Sequence, residues 1–148
     1  MKSKKANGET GQEPELFSAL LLDDALRHAD DVFDRANINF FLAGETAIQV
    51  MDGKKLDLLP EISLGLRMTD WGEIQQRLFL TTMEYLEEDW KKTKDGFEFA
   101  KGAVPIRVKV MKKHNKFFNN LDNVFYDFTQ FLVPNQFKTY RKMRNLMR

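Results

Sequence analysis

Residues Phe41 to Leu66 read FLAGETAIQVMDGKKLDLLPEISLGL. The apolar run that closes on Gly44 begins upstream, in NINFFLAG, after an asparagine turn; it predicts a short buried strand. Glu45 to Met51 predicts a short helix, and Asp52-Gly53 a turn. The period then changes. From Glu61 to Met68, Ile62, Leu64, Leu66 and Met68 alternate with Glu61, Ser63, Gly65 and Arg67. Successive side chains on a strand point to opposite faces, so this alternation predicts a half-buried strand. The stretch is therefore strand, glycine turn, helix, strand.

On the N-terminal side, Leu16 to Ala36 predicts an amphipathic helix, with Leu22, Ala25, Leu26, Ala29, Val32, Phe33 and Ala36 at helical spacing. Asp23, Asp24, Asp30, Asp31 and Asp34 are expected to take much of its other face. On the C-terminal side, Thr69 or Asp70 is a candidate cap for a helix through Leu78 to Met83, with Glu73 in its first turn. EYLEEDWKK, GFEFAKG and VPIRVKVMKK then predict three strands, with Asp95-Gly96 and Lys101-Gly102 as tight turns. NVFYDF adds one more short strand, and a helix is expected from Pro134 to the C-terminus. Helices and strands mixed in this order imply an α+β (mixed α/β) fold, a central mixed sheet flanked by helices.

The chain has 148 residues, enough for one domain with a real core. Residues 1–14 are polar and lack an apolar signal core, predicting a disordered tail, with a single domain over 15–148. Without cysteine, disulfides and thiolate metal sites are excluded, and a cytoplasmic location is expected. No run of about 18 apolar residues exists to span a membrane. The net charge of +1 hides a split. Residues 1–100 hold 12 Lys and Arg against 20 Asp and Glu; residues 101–148 hold 11 against 2. Either the halves neutralise each other across the fold, or a basic face meets phosphates or an acidic partner. No Walker or dinucleotide-binding glycine motif occurs.

FFLAGETAI, LLPEISLGL and FLVPNQFKTYRKM together resemble the nucleotidyltransferase fold, nearest its phosphorylcholine-transferase-like branch, over roughly residues 20–145. Families of that fold place a Gly-Gly or Gly-Ser turn after the first strand, D-x-D on the second and a third carboxylate on a later strand. The resemblance implies a nucleotidyltransferase-like fold. It also implies a cleft at Gly44, Glu45 and Thr46, metal ligands at Glu61 and Ser63, and a third ligand position in VPIRVKVM.

The departures decide what this site can do. D-x-D points two carboxylates at one spot, and two Mg²⁺ ions about 4 Å apart need several anionic oxygens. Here the pair is Glu61 and Ser63, and a neutral hydroxyl is a poor Mg²⁺ ligand beside a carboxylate. The third slot holds Arg107, or Lys109 in the other register, and either cation repels Mg²⁺. A salt bridge from one of them to Glu61 is expected in place of metal, so no metal or cofactor is assigned. Gly44 lets backbone N–H groups approach a phosphate at the helix start, and Thr46 adds a hydroxyl. Glu45 opposes a triphosphate there, or merely stabilises the first helical turn.

His28 is expected to be a surface or partly buried helix residue, and His114 an exposed loop residue. Phe117, Phe118, Phe125, Tyr126, Phe128, Phe131, Phe137 and Tyr140 lie among cations, an arrangement that forms core or grips a nucleic-acid strand. Three functions follow. The first is a non-catalytic binding or regulatory module taking a nucleotide or other phosphate-containing ligand. The second is a Mg²⁺-dependent nucleotidyl- or phospho-group transferase with a rearranged site, using Glu61 and carboxylates such as Asp57 or Asp70. The third is an interaction domain whose basic C-terminal half, with Lys138, Arg141, Lys142, Arg144 and Arg148, binds nucleic acid or an acidic protein.

Overall fold

The computed structural model describes residues 14–111 and 121–134. Helix α1 (Ala19–Arg35) forms where the apolar spacing predicts, burying Leu22, Ala25, Leu26, Ala29, Val32 and Phe33. Asn37 ends it at φ +56, and the Ile38 N–H donates to the Phe33 carbonyl at 2.9 Å. That is a left-handed cap closing the last turn. Strand β1 is only Phe41–Leu42, helix α2 is Gly44–Met51, and strand β2 is Ile62–Arg67. Met68 leaves the alternation: it opens a 3₁₀ turn, Met68–Asp70, and is half-exposed.

Neither Thr69 nor Asp70 caps the next helix. Its N-cap is Gly72, and α3 runs Glu73–Tyr85. Most of EYLEEDWKK is the end of this helix and its turn, so strand β3 is reduced to Lys91–Lys92. Strands β4 (Gly96–Lys101) and β5 (Val104–Met111) form the expected hairpin. Strand β6 (Leu121–Tyr126) then pairs with β7 (Thr129–Pro134), a strand in a stretch where none was expected.

The architecture is α+β, with three helices and a mixed five-stranded sheet in the order β1-β2-β5-β4-β3 among the described residues. Strands β2 and β5 are parallel and the other pairs antiparallel. A separate ribbon of β6 and β7 packs beside β1. The apolar alternates Ile62, Leu64, Leu66, Phe97, Phe99, Ile106 and Val108 are all buried, and α1 packs across β2, β4 and β5 while touching α3. At about 25 cal/mol per Å² of apolar surface removed from water, this face supplies the main driving force for folding. The polar alternates Glu61, Ser63, Arg107 and Glu98 occupy the other face. No helix of the described residues is long and apolar enough to cross a membrane.

Two expectations need correction at residue level. Asp23 is not on the solvent face of α1: it is 6% exposed and accepts a hydrogen bond from the Tyr126 hydroxyl at 2.6 Å. The same phenol oxygen accepts the Leu56 N–H at 2.9 Å, so one buried side chain joins α1, the loop before β2 and the β6–β7 ribbon. Burial first, and then the hydrogen bond to Asp23, raises the Tyr126 pKa above its ordinary value. Gly65, on the polar side of β2, is buried because the Phe41 ring lies against it; a Cβ there would come within 2.3 Å of that ring.

Candidate functional site

The polar face of the sheet carries a row of charges set by strand register. Parallel pairing places Ser63 opposite Arg107, antiparallel pairing places Arg107 opposite Glu98, and Glu98 in turn faces Lys91. Cross-strand neighbours on one face lie about 5 Å apart, so four side chains from four strands meet in line. Glu61 joins from the residue just before β2, two positions from Ser63, and the Ser63 hydroxyl donates to its Oε2 at 3.1 Å.

Arg107 holds the row together. Its Nη1 lies 3.4 Å from Glu61 Oε1, and its Nε and Nη2 lie 3.2 and 3.1 Å from Glu98 Oε1. Lys91 Nζ stands 3.5 Å from the other Glu98 oxygen. Two carboxylates thus meet two cations, and the cluster is close to electroneutral. The Arg107 side chain is 55% exposed, so solvent screens these pairs and each is worth at most about 1 kcal/mol. Their effect is to occupy the carboxylate oxygens.

Of the two cations considered opposite Glu61, Arg107 makes the contact. Lys109, two residues further along β5 on the same face, is exposed and has no ion-pair partner among the described residues. Gly44 starts α2 at φ +53, a conformation that favours glycine, and lies beside Ser63: a Cβ on it would be 3.5 Å from the Ser63 Cβ and Oγ. Thr46 is brought to the same place for another purpose. It is 1% exposed, and its Oγ1 accepts the Ser63 backbone N–H at 3.0 Å. The hydroxyl expected to face a phosphate therefore fixes α2 to β2. Glu45 is exposed in the first turn of α2.

Sequence reasoning missed Glu98 and Lys91. The signal for Glu98 was present in GFEFAKG, where it alternates with Phe97 and Phe99. Counting back from the Lys101-Gly102 turn, with Lys101 paired to Val104, sets Glu98 against Arg107. Asp70, a spare carboxylate for the transferase reading, is held by Arg67 at 2.7 Å. Asp57 meets Gln49 through its backbone N–H and C=O groups. No cluster of three or more metal-ligating side chains occurs among the described residues.

His28 is partly buried, its Nε2 lying 2.7 Å from Glu88 Oε1. Of the aromatics weighed as core or nucleic-acid grip, Tyr126 and Phe131 are buried, whereas Phe125 and Phe128 are exposed. His114, Phe117, Phe118, Phe137, Tyr140, the expected tail up to residue 13 and the expected basic helix beyond Pro134, which ends β7, lie outside the described residues. No family model matches the chain, and no curated protein matches it significantly.

Proposed function

We propose that this chain is a nucleotidyltransferase-like domain in which an ion pair has taken the place of a metal centre, and that it acts as a cytoplasmic binding or regulatory module rather than as a catalyst. The observation that carries this reading is the Arg107 guanidinium within 3.4 Å of Glu61 and 3.1 Å of Glu98. A fixed cation between two carboxylates raises the electrostatic cost of a divalent ion at the same spot. The hydroxyl of Ser63 adds no charge to offset it. The strand–glycine turn–helix–strand layout of residues 41–67, with Gly44 beside Ser63, supports the fold assignment. The ligand class that goes with the reading is a phosphate-bearing anion, because Lys109 is a cation of this face without an ion-pair partner among the described residues.

The convergence of Glu61 and Glu98 favours one second reading, a Mg²⁺-dependent transferase in which Arg107 swings aside. The two readings separate by calorimetry and turnover. The wild-type protein is expected to show no Mg²⁺ or Mn²⁺ binding at micromolar concentration and no turnover of ATP or CTP. Arg107→Ala, which removes the cation standing between the two carboxylates, is expected to bind Mn²⁺ more tightly than wild type by tenfold or more. Metal-dependent turnover by the wild type, lost in Glu61→Ala, would overturn the non-catalytic reading.

A further inference from the structure

On the opposite side of the sheet, the edge formed by β3, β4 and α3 borders an open cavity of about 230 Å³. Half of its lining residues are aromatic: Trp71, Phe79, Trp90 and Phe97. Trp71 stacks on Phe97 with ring centroids 4.8 Å apart, while Trp90 meets Phe79 edge-on at 5.7 Å and Phe97 edge-on at 6.4 Å. These contacts hold the walls rigid. Phe79 and Phe97 belong to the buried core, whereas both indoles remain partly open to solvent. An apolar cavity of about 150 Å³ takes a benzene ring. This one has room for such a ring and a short substituent.

The polar groups around it determine the charge of that substituent. Lys92 faces Phe97 across the β3–β4 pair, so its side chain leaves the sheet on the same side as that ring and lines the cavity. Gln76 also lines it, its amide donating to the Trp71 carbonyl at 3.1 Å. Neither indole N–H has an acceptor among the described residues. No carboxylate is in the lining. Aromatic walls alone would suit a quaternary ammonium, which is drawn to ring faces. The Lys92 ammonium at the rim reverses that preference: it repels a cation and favours an acceptor with negative charge.

We propose that this cavity binds a small aromatic carboxylate, its ring against Trp71 and Trp90 and its carboxylate toward Lys92. The site is separate from the Arg107 cluster, since Lys91 and Lys92 point to opposite faces of the sheet, and it does not rest on the function proposed above.

The chain's two tryptophans both line this cavity, so intrinsic fluorescence reports on it directly. Titration of the full chain at neutral pH with benzoate is expected to give a saturable emission change with Kd below about 1 mM, in keeping with the affinity of ligands this small. Benzylamine and benzyl alcohol are expected to bind at least tenfold more weakly. Lys92→Gln, on an exposed edge strand, is expected to bring benzoate down to the level of benzyl alcohol. An unsaturable response to benzoate, or equal affinity for benzylamine, overturns the proposal in the wild-type protein alone, whatever the variant does. An unaltered benzoate affinity in Lys92→Gln that keeps the wild-type unfolding midpoint overturns the role given to Lys92.

Discussion

Gly96 shows how little room a single position leaves. It opens β4 beside the backbone of β5, and a Cβ there would fall 2.0 Å from the Val108 carbonyl oxygen. Backbone cannot rotate out of the way as a side-chain tip can, so the strands would have to separate. Gly96→Ala is expected to lower stability by about 1–3 kcal/mol, the usual range for overpacking, read from the urea midpoint. The clash at Gly65 is with the ring of Phe41, which is itself buried and rigid and has no open space to move into. Arg107 illustrates a different constraint: its partner Glu61 follows from the two-residue offset to Ser63, but its shorter contacts, to Glu98, come from an antiparallel neighbour.

The three helices end by one device, and its residues explain where the sequence reading stopped short. After α2, Gly53 takes φ +73 and the Lys54 N–H donates to the Gln49 carbonyl at 3.1 Å; this Asp-Gly turn was expected. After α3, Glu87 takes φ +55 and the Glu88 N–H donates to the Met83 carbonyl at 3.0 Å. A glutamate does not announce a left-handed cap, which is why EYLEEDWKK read as a strand. Non-glycine residues are strained there, so Glu87→Gly is expected to stabilise the protein by about 1 kcal/mol, visible as a higher thermal midpoint. Strand β6 was expected in NVFYDF, but the turn that joins it to β7 was hidden in the same way. That two-residue turn, Asp127-Phe128, has φ +50 and +63, the left-handed pair that asparagine and glycine usually supply.

The ribbon joins the core through Phe131 and Val133, and Tyr126 adds a buried polar link. Asp23 on α1 accepts its hydroxyl proton, and Leu56 donates to its oxygen. An exposed pair, Arg27–Asp127 at 2.8 Å, and a tilted Phe40–Phe131 contact add to it. Tyr126→Phe leaves a buried carboxylate and a buried N–H without that partner, at a cost of about 1–3 kcal/mol. Hydrogen exchange is expected to quicken over residues 121–134 more than in β2 and β5. The pH dependence follows from the raised phenol pKa. The unfolded chain ionises Tyr126 near pH 10 while the folded chain still holds the proton. Stability from this group is therefore complete below about pH 10 and falls as pH rises above it. Chemical unfolding across that range is expected to show a shallower loss in Tyr126→Phe than in wild type.

Local pattern alone determined the α1 helix, the period-two strands of residues 62–67 and 96–111 and the mixed α+β class. Each depends on side-chain spacing along the chain or on counting from a turn, and such short-range geometry survives without knowledge of the whole. Only the tertiary structure decided that Asp23 is buried, that Thr46 is spent on holding β2, that Glu98 is the closer partner of Arg107, and that two tryptophans 19 positions apart line one cavity. These depend on which distant segments pack together, and a polar residue's partner across the fold leaves no periodic mark in its own neighbourhood.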